Sequence, residues 1–170
     1  MLAIAARRNY NDQASIGRLF RFGSTDMIDI SLNPDVRAGY DRLDQILSDH
    51  AEQTGEPFSM QEICLDAHEN GVFLGGLNAK IGRQWVFVEL LAVTEAARGK
   101  GLGRQLMAEM ENRARVMGKI GVWLDTYSFQ APGFYEKLGY VECGRIPDYP
   151  IGHDRRFFAK RLDGTKIERC

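Results

Sequence analysis

The sequence of 170 residues predicts one α/β domain built on a mixed β-sheet. Two strand-like segments flank Asn70-Gly71, which is a strong hairpin signal because both positions of such a turn need positive φ. Segments 85–93 and 120–126 are apolar on both faces, as central buried strands are. Because a helical pattern separates these two strands, we expect them to be parallel neighbours.

The first elements lie on the N-terminal side of the hairpin. Residues 1–25 are treated as an N-terminal extension of undefined structure, and the domain is placed at residues 26–165. The alternating segment 27–32 predicts a strand. The segment after it has the apolar stripe of an amphipathic helix, with Asn33 as the predicted N-cap and Gly55 as the residue beyond the end.

The last elements follow the first buried strand. A long helix begins in the glycine-rich turn 99–103 and ends at Gly118. "APGFYEKLG" predicts a short helix that Gly139 stops. "YVECGRI" and "RRFFAKRL" predict two final strands, and the charges of the second strand suit a partly exposed position.

The composition excludes several classes of function. A formal net charge of -1 argues against a general binder of nucleic acids or anionic membranes, because both need a basic excess. The three cysteines, Cys64, Cys143 and Cys170, show no metal-ligand spacing, so we expect reduced thiols and no metal. The chain contains neither a signal-peptide pattern at its start nor a stretch of about 20 apolar residues. We therefore expect a cytoplasmic protein.

The glycine-rich turn is the most informative local feature. Residues 93–110, "VTEAARGKGLGRQLMAEM", join an apolar strand to a helix through Gly99, Gly101 and Gly103. Such a helix start presents unpaired N–H groups at the positive end of the helix dipole, so a phosphate or pyrophosphate is the expected ligand. The P-loop and dinucleotide spacings are both excluded, the second because Arg104 stands three residues after Gly101. Tight packing of the helix entry against the sheet is the alternative explanation.

Two motifs resemble those of GNAT-type N-acetyltransferases. Residues 98–103, "RGKGLG", match R/Q-x-x-G-x-G/A, the acyl-CoA pyrophosphate loop of that family, and they follow Leu91-Ala92-Val93 at the family's spacing. Residues 131–140, "APGFYEKLGY", resemble the family's A-x-x-F-Y-E-K-x-G-F/Y segment. The resemblance extends from about residue 26 to residue 162. It implies the GNAT fold, which is a mixed, mostly antiparallel central sheet with a splayed parallel strand pair and helices on both faces.

The resemblance also implies acetyl-CoA as co-substrate, without a metal. In the family the pantetheine arm pairs with the first splayed strand, which implies backbone contacts from Leu91 and Val93. Ser128 stands where many members have an asparagine that contacts the arm, and its hydroxyl can still make one such hydrogen bond. The pyrophosphate is then held by backbone N–H groups and by arginine and lysine charge. The implied cofactor-binding residues are Leu91, Ala92, Val93, Arg98, Gly99, Lys100, Gly101, Gly103, Arg104 and Ser128.

Two residues are candidate catalytic groups. Tyr135 matches the tyrosine that protonates the departing thiolate in many members, and a phenol of pKa about 10 keeps its proton at neutral pH. The alternative is that Tyr135 only packs against its aromatic neighbours. Glu89 is the only charge in "WVFVELLAV", and simple alternation puts it on the same side as Leu91 and Val93. A desolvated Glu89 would suit a base that deprotonates the amine, and an ion pair with a neighbouring strand is the alternative.

The implied reaction is direct transfer of acetyl to a primary amine in a ternary complex, because neither motif contains a cysteine. The absence of an extra domain or a basic tail favours a small-molecule acceptor. An acidic acceptor site would favour a polyamine or an aminoglycoside. The loop at 148–153 commonly borders this site in the fold, and its Asp148 and His153 either orient the amine or are solvated.

Two other functions stay open at this stage. One is acetylation of a protein lysine or N-terminus, and the other is a non-catalytic acyl-CoA sensor. A homodimer is suggested by analogy with the fold alone.

Overall fold

The computed structural model describes residues 30–57 and 60–167, and these two ranges belong to separate compact units. The predicted N-terminal extension, residues 1–25, lies outside the described residues, as does the start of the predicted domain at residue 26. Part of the strand predicted at 27–32 also lies outside them, and residues 30–32 are not in a strand. Neither described range contains a helix long and apolar enough to cross a bilayer.

The described part of the first unit, residues 30–57, contains one helix, α1 (Val36–Gln53). Its N-cap is Asp35, whose carboxylate accepts a hydrogen bond from the N–H of Ala38 at 2.9 Å. The predicted cap, Asn33, is wrong by two residues, because its side-chain oxygen accepts from the N–H of Asp35 instead. Gly55 lies beyond the helix end with φ of 75°, as predicted.

The second unit is a six-stranded sheet in the order β1-β2-β3-β4-β6-β5. Every neighbouring pair is antiparallel except β3 with β4, which is parallel. Asn70 and Gly71 have φ of 51° and 79°, so the β1–β2 hairpin turns where the sequence predicts it. The elements are β1 (Gln61–Glu69), β2 (Val72–Ile81), β3 (Trp85–Val93), α2 (Leu102–Val116), β4 (Gly121–Tyr127), α3 (Pro132–Lys137), β5 (Val141–Ile146) and β6 (Arg155–Arg161).

One hydrophobic core joins α2 and α3 to one face of this sheet. Met107 and Met110 of α2 are fully buried in it. The strands contribute every second residue, as a half-buried sheet does. Glu111 is the charged side chain that the described residues bury in this core, and its carboxylate accepts from the ammonium of Lys160 at 2.8 Å and lies 3.5 Å from Arg115 Nη2. The other members include Leu77, Ala79, Val86, Val88, Leu91, Val122, Leu124, Tyr135 and Phe158.

The parallel pair is short and then opens. The β3–β4 ladder ends at Val88 and Leu124, although both strands continue beyond these residues. The register of β3 against β2 shifts by one residue between Val88 and Leu90, so Glu89 is the extra residue of a β-bulge. Because a bulge bends its strand, β3 turns away from β4 at this point. The predicted mixed, mostly antiparallel sheet with a splayed parallel pair is confirmed.

Candidate active site

The opening between β3 and β4, hereafter the cleft, exposes backbone groups of β3. The N–H of Thr94 donates to the carbonyl oxygen of Leu74 in β2 at 2.8 Å. Because N–H directions alternate along a strand, the backbone groups of Leu91 and Val93 face the cleft, and those of Ala92 face β2. Leu91 and Val93 are therefore available to pair with an extended ligand. Their cofactor contacts stay a prediction.

The first turn of α2 borders the same end of β3 and lacks a cap. Gly99 and Gly101 have φ of 75° and 81°, in the left-handed region that favours glycine. The N–H of Gln105 makes the first intrahelical bond, to the Gly101 carbonyl at 3.1 Å. No side chain caps the N–H groups of residues 102–104, because the N-cap is Gly101. These donors and the helix dipole form a site for a small anion.

Packing accounts for the third glycine of the turn. A Cβ on Gly103 would lie 3.4 Å from Cζ of Phe134, so glycine lets this ring rest directly on the helix. The tight-packing explanation therefore applies to Gly103, whereas positive φ explains Gly99 and Gly101. The contact also joins the two sequence motifs, because Phe134 belongs to the tyrosine segment.

Three cations surround the uncapped turn. Arg98, Lys100 and Arg104 are exposed, and none of them pairs with an acidic side chain of the described residues. A pyrophosphate would accept charge-assisted hydrogen bonds from these cations and further hydrogen bonds from the unpaired N–H groups beside them. The residues present at this turn fit such a group.

Tyr135 lies in the core with a protonated hydroxyl. Its exposed fraction is 2 %, and its ring contacts those of Phe134, Tyr140 and Phe158 at centroid distances of 5.0, 6.1 and 6.1 Å. Burial raises the pKa of Tyr135 to about 12, and the negative charge of Asp125 adds to the rise. The ring contacts agree with a packing role for Tyr135, and the retained proton at neutral pH agrees with a role as an acid. The catalytic role of Tyr135 stays a prediction.

Glu89 does not lie on the side that simple alternation predicts. Leu91 is 3 % exposed in the core, whereas the half-buried Glu89 carboxylate accepts from Lys80 Nζ at 3.1 Å on the opposite face. The extra residue of the bulge causes the error, because it reverses the alternation beyond Glu89. The alternative role for Glu89 in the sequence analysis, an ion pair with a neighbouring strand, is thus present. The role of Glu89 as a base stays a prediction.

Ser128 links the end of β4 to the start of β6. Its hydroxyl oxygen accepts from the N–H of Asp154 at 3.0 Å, and its own N–H donates to the Asp154 carbonyl at 2.8 Å. His153 Nδ1 lies 3.5 Å from the same hydroxyl. The Ser128 proton can therefore go to His153 or to a ligand, so its contact with the cofactor stays a prediction.

Sequence reasoning missed an ion pair on β4. Arg155 donates two hydrogen bonds to the Asp125 carboxylate, at 2.7 and 2.8 Å. Asp125 directly follows Leu124, the last residue of β4 that pairs with β3, just as Glu89 follows Val88 on the other strand. Asp125 is the only charge in "IGVWLDT", which is the signal that identified Glu89. The same rule applied to β4 would have found it.

It also missed a cluster of rings beyond Asp125, here called the aromatic platform and defined as Tyr127, Phe129 and Tyr149. The Tyr127 ring stacks on Phe129 at 5.2 Å with planes 10° apart, and on Tyr149 at 6.0 Å with planes 18° apart. His153 meets Phe129 edge-on at 4.9 Å. In the same loop, the Asp148 carboxylate accepts from the N–H of Gly152 at 3.1 Å. No local signal predicts the contacts of Tyr149 and His153 with this pair of rings, because they lie far from it in the sequence.

The cleft connects two chemically different faces of the sheet. The core face carries α2, with its uncapped first turn, and Tyr135 of α3. The opposite face carries the Lys80–Glu89 and Arg155–Asp125 ion pairs, one on each strand where the strands part. A ligand anchored at α2 by an anionic group could thus extend through the cleft and reach an amine on the opposite face.

Comparison with known proteins gives a consistent result. The family model described as "Acetyltransferase (GNAT) family" matches residues 26–140. A blasticidin-S acetyltransferase from Streptomyces morookaense is 46% identical over 95 residues, which are 55% of this chain and 70% of that protein. A streptothricin acetyltransferase from Streptomyces lavendulae is 35% identical over 63 residues, which are 36% of this chain and 33% of that protein.

A solved structure extends the likeness to the fold. The crystal structure of an acetyltransferase from Bacillus cereus superposes with a TM-score of 0.70 at 35% sequence identity. The superposition covers 80% of this chain and 99% of that one.

Proposed function

Because the chain belongs to the GNAT family of acetyltransferases, we propose that it moves the acetyl group of acetyl-CoA to a primary amine of a small molecule, by direct attack within a ternary complex. The observation that carries the proposal is the cleft, which opens beside the uncapped first turn of α2. An extended thioester ligand would need an anion site, a free backbone edge and a proton donor, and the α2 turn, the β3 edge and Tyr135 would provide them.

Three sets of residues would bind the donor. The N–H groups of residues 102–104, with Arg98 and Lys100 beside them, would hold the pyrophosphate. The backbone groups of Leu91 and Val93 that face the cleft would pair with the pantetheine arm as a further strand does. Acetyl-CoA then supplies the acetyl group as a thioester.

The protein would assist the reaction at two atoms. The neutral amine nitrogen of the acceptor forms a bond to the thioester carbon as the bond from that carbon to sulfur breaks. Tyr135 presents its O–H to the departing sulfur, which carries the negative charge. Glu89, directly or through water, is the group proposed to accept the proton that the amine loses. The Lys80 ammonium paired with Glu89 would move aside as the carboxylate takes up that proton.

The acceptor class is proposed from two relatives. Proteins named for acetylation of blasticidin S and of streptothricin match this chain, the first over 70% of its own length. Both names refer to small-molecule acceptors, which supports a small amine over a protein lysine. Tyr135, which a non-catalytic sensor would not need, supports an enzyme over a sensor.

A CoA-release assay tests the proposal. The full chain would be incubated with acetyl-CoA and, in separate arms, blasticidin S, streptothricin, a panel of simple amines, and peptides with a free lysine or N-terminus. We expect release above the acceptor-free rate with at least one small amine. Release with peptides alone would instead indicate protein acetylation. Acetyl-CoA binding without release in any arm would indicate a sensor.

A further inference from the structure

The aromatic platform presents flat rings to solvent beside the cleft. Phe129 and Tyr149 are 55% and 45% exposed, which is unusual for large rings that stack in near-parallel planes. The rings are held in place, because Arg155 lies under Tyr127 and Tyr149 at 5.9 and 5.6 Å from their centroids. The Arg155 guanidinium is itself fixed by its double hydrogen bond to Asp125. An exposed, ordered stack of this kind suits a planar ligand.

Most of the charges around the platform are paired with an opposite charge, and the Asp148 carboxylate accepts a hydrogen bond from the N–H of Gly152. Arg155 is neutralised by Asp125, and Asp154 lies between Arg145 and Arg156 at 3.3 and 3.6 Å. A charged ligand group would therefore meet neither a strong attraction nor an unpaired partner at these positions. An uncharged ring, in contrast, gains stacking and burial of apolar area without losing any of these ion pairs.

The platform also lies at a suitable distance from the reacting centre. Tyr127 is three residues beyond Leu124, where β4 leaves the parallel ladder, which is about 10 Å along the strand. Tyr127 shares the face of Asp125 and Glu89, opposite the face of α2. A ring stacked on Phe129 or Tyr149 could thus carry an amine on a short linker to the cleft.

We propose that the aromatic platform is an acceptor subsite that binds a flat, uncharged aromatic or heteroaromatic ring carried by the amine substrate. The assignment rests on the proposed acetyltransferase function and narrows its substrate class. Tyr127 supports the stack from within, and Phe129 and Tyr149 provide the faces that touch the ligand.

A matched pair of amines separates stacking from simple hydrophobic contact. 2-Phenylethylamine and 2-cyclohexylethylamine carry the same ammonium on the same linker, but only the first has a flat π-face. Dissociation constants would be measured by calorimetric titration into the protein saturated with CoA, at one fixed pH. We expect the phenyl compound to bind about two- to tenfold more tightly, because aromatic pairs gain this much beyond area burial. In Phe129→Leu the ratio of the two constants should fall to about one.

A second exposed phenylalanine provides the control. Phe73 is 49% exposed on β2 and meets His68 edge-on at 5.6 Å, so its surroundings resemble those of Phe129 with His153. Phe73→Leu should keep the wild-type preference. Three results would each overturn the assignment. The wild type could bind both amines equally, it could fail to bind the phenyl compound, or the preference could persist in both Phe129→Leu and Tyr149→Leu. Failure of the acetyltransferase function itself is distinguishable, because it would abolish CoA release with every amine.

Discussion

Replacing Tyr135 with phenylalanine removes one hydroxyl from the core and little else. The ring is buried among Phe134, Tyr140 and Phe158, and its hydroxyl makes no hydrogen bond to another described side chain. Phenylalanine fills the same space, so the variant should fold. Any change in turnover then reports on the hydroxyl.

The pKa of Tyr135 determines how large that change should be. A thiol of the leaving-group type has a pKa of about 8.5. Burial holds Tyr135 at about 12, so complete transfer of its proton to the thiolate is uphill by about 5 kcal/mol. In the proposed reaction Tyr135 would therefore act mainly by donating a hydrogen bond to the charged sulfur, which would contribute about 1.5–3 kcal/mol. We expect kcat to fall by about 10- to 150-fold, with the KM for acetyl-CoA nearly unchanged.

Tyr140→Phe is the matched control. Tyr140 is buried in the same ring cluster, and burial and the neighbouring Glu111 carboxylate raise the pKa of its hydroxyl. Steady-state CoA release should give this variant a kcat within about twofold of the wild type, because the proposed reaction gives the Tyr140 hydroxyl no role. Wild-type turnover in Tyr135→Phe, or equal losses in the two variants, would refute the role of Tyr135.

Alkaline unfolding gives Tyr135→Phe a second readout. A folded-state pKa above the unfolded value of 10.0 stabilises the protein fully below pH 10, and this stability is lost as pH rises to about 12. Chemical denaturation should therefore show the wild type losing about 2–3 kcal/mol over this range beyond what Tyr135→Phe loses. If the free energy of unfolding changed with pH in the same way in the wild type and in Tyr135→Phe, the Tyr135 hydroxyl would not be in a low-dielectric position.

Two further predictions concern the donor site and the base. Gly101→Ala should cost about 1–2 kcal/mol of stability, because φ is 81° there, and should weaken acetyl-CoA binding at least about tenfold. Gly118→Ala is the control, because Gly118 has φ of 69° at the other end of α2. It should lose similar stability in thermal unfolding and keep its affinity for acetyl-CoA. Equal losses of acetyl-CoA affinity in the two variants would contradict the anion site. Glu89→Gln should lower kcat near neutral pH and move the pH optimum upward. Glu142 is another half-buried carboxylate in an ion pair, so Glu142→Gln should leave the pH dependence of kcat unchanged. An unchanged pH dependence in both variants would show that Glu89 has a structural role only.

The predictable parts of this fold depend on single residues and their backbone requirements. Asn70-Gly71 fixes the hairpin, and the positive φ at Gly118 ends α2, because few other residues adopt these conformations. The N-cap was predicted less well, because Asn33 and Asp35 are both capping residues and stand two positions apart. Only the structure shows which of them meets the helix.

The bulge at Glu89 had no sequence signal. Leu90 and Leu91 are both apolar, so the pattern "VELLAV" fits a regular strand and a bulged one equally well. The difference decides which face each later side chain occupies, because one extra residue reverses the alternation. The aromatic platform was missed for a different reason. Tyr127 and Tyr149 come together through the β5–β6 loop, and such long-range contacts follow from topology rather than from local pattern.

The paired charges around the cleft bear on which amine would be accepted. An acidic site would favour polyamines and aminoglycosides, yet the two carboxylates where β3 and β4 part, Glu89 and Asp125, each hold a cation already. A second ammonium on the acceptor would have to displace Lys80 or Arg155, and the Arg155 pair has two hydrogen bonds to lose. With the proposed subsite, selection of the acceptor would therefore depend more on ring stacking than on charge. A singly charged amine that carries a planar ring fits these constraints better than a polyamine does.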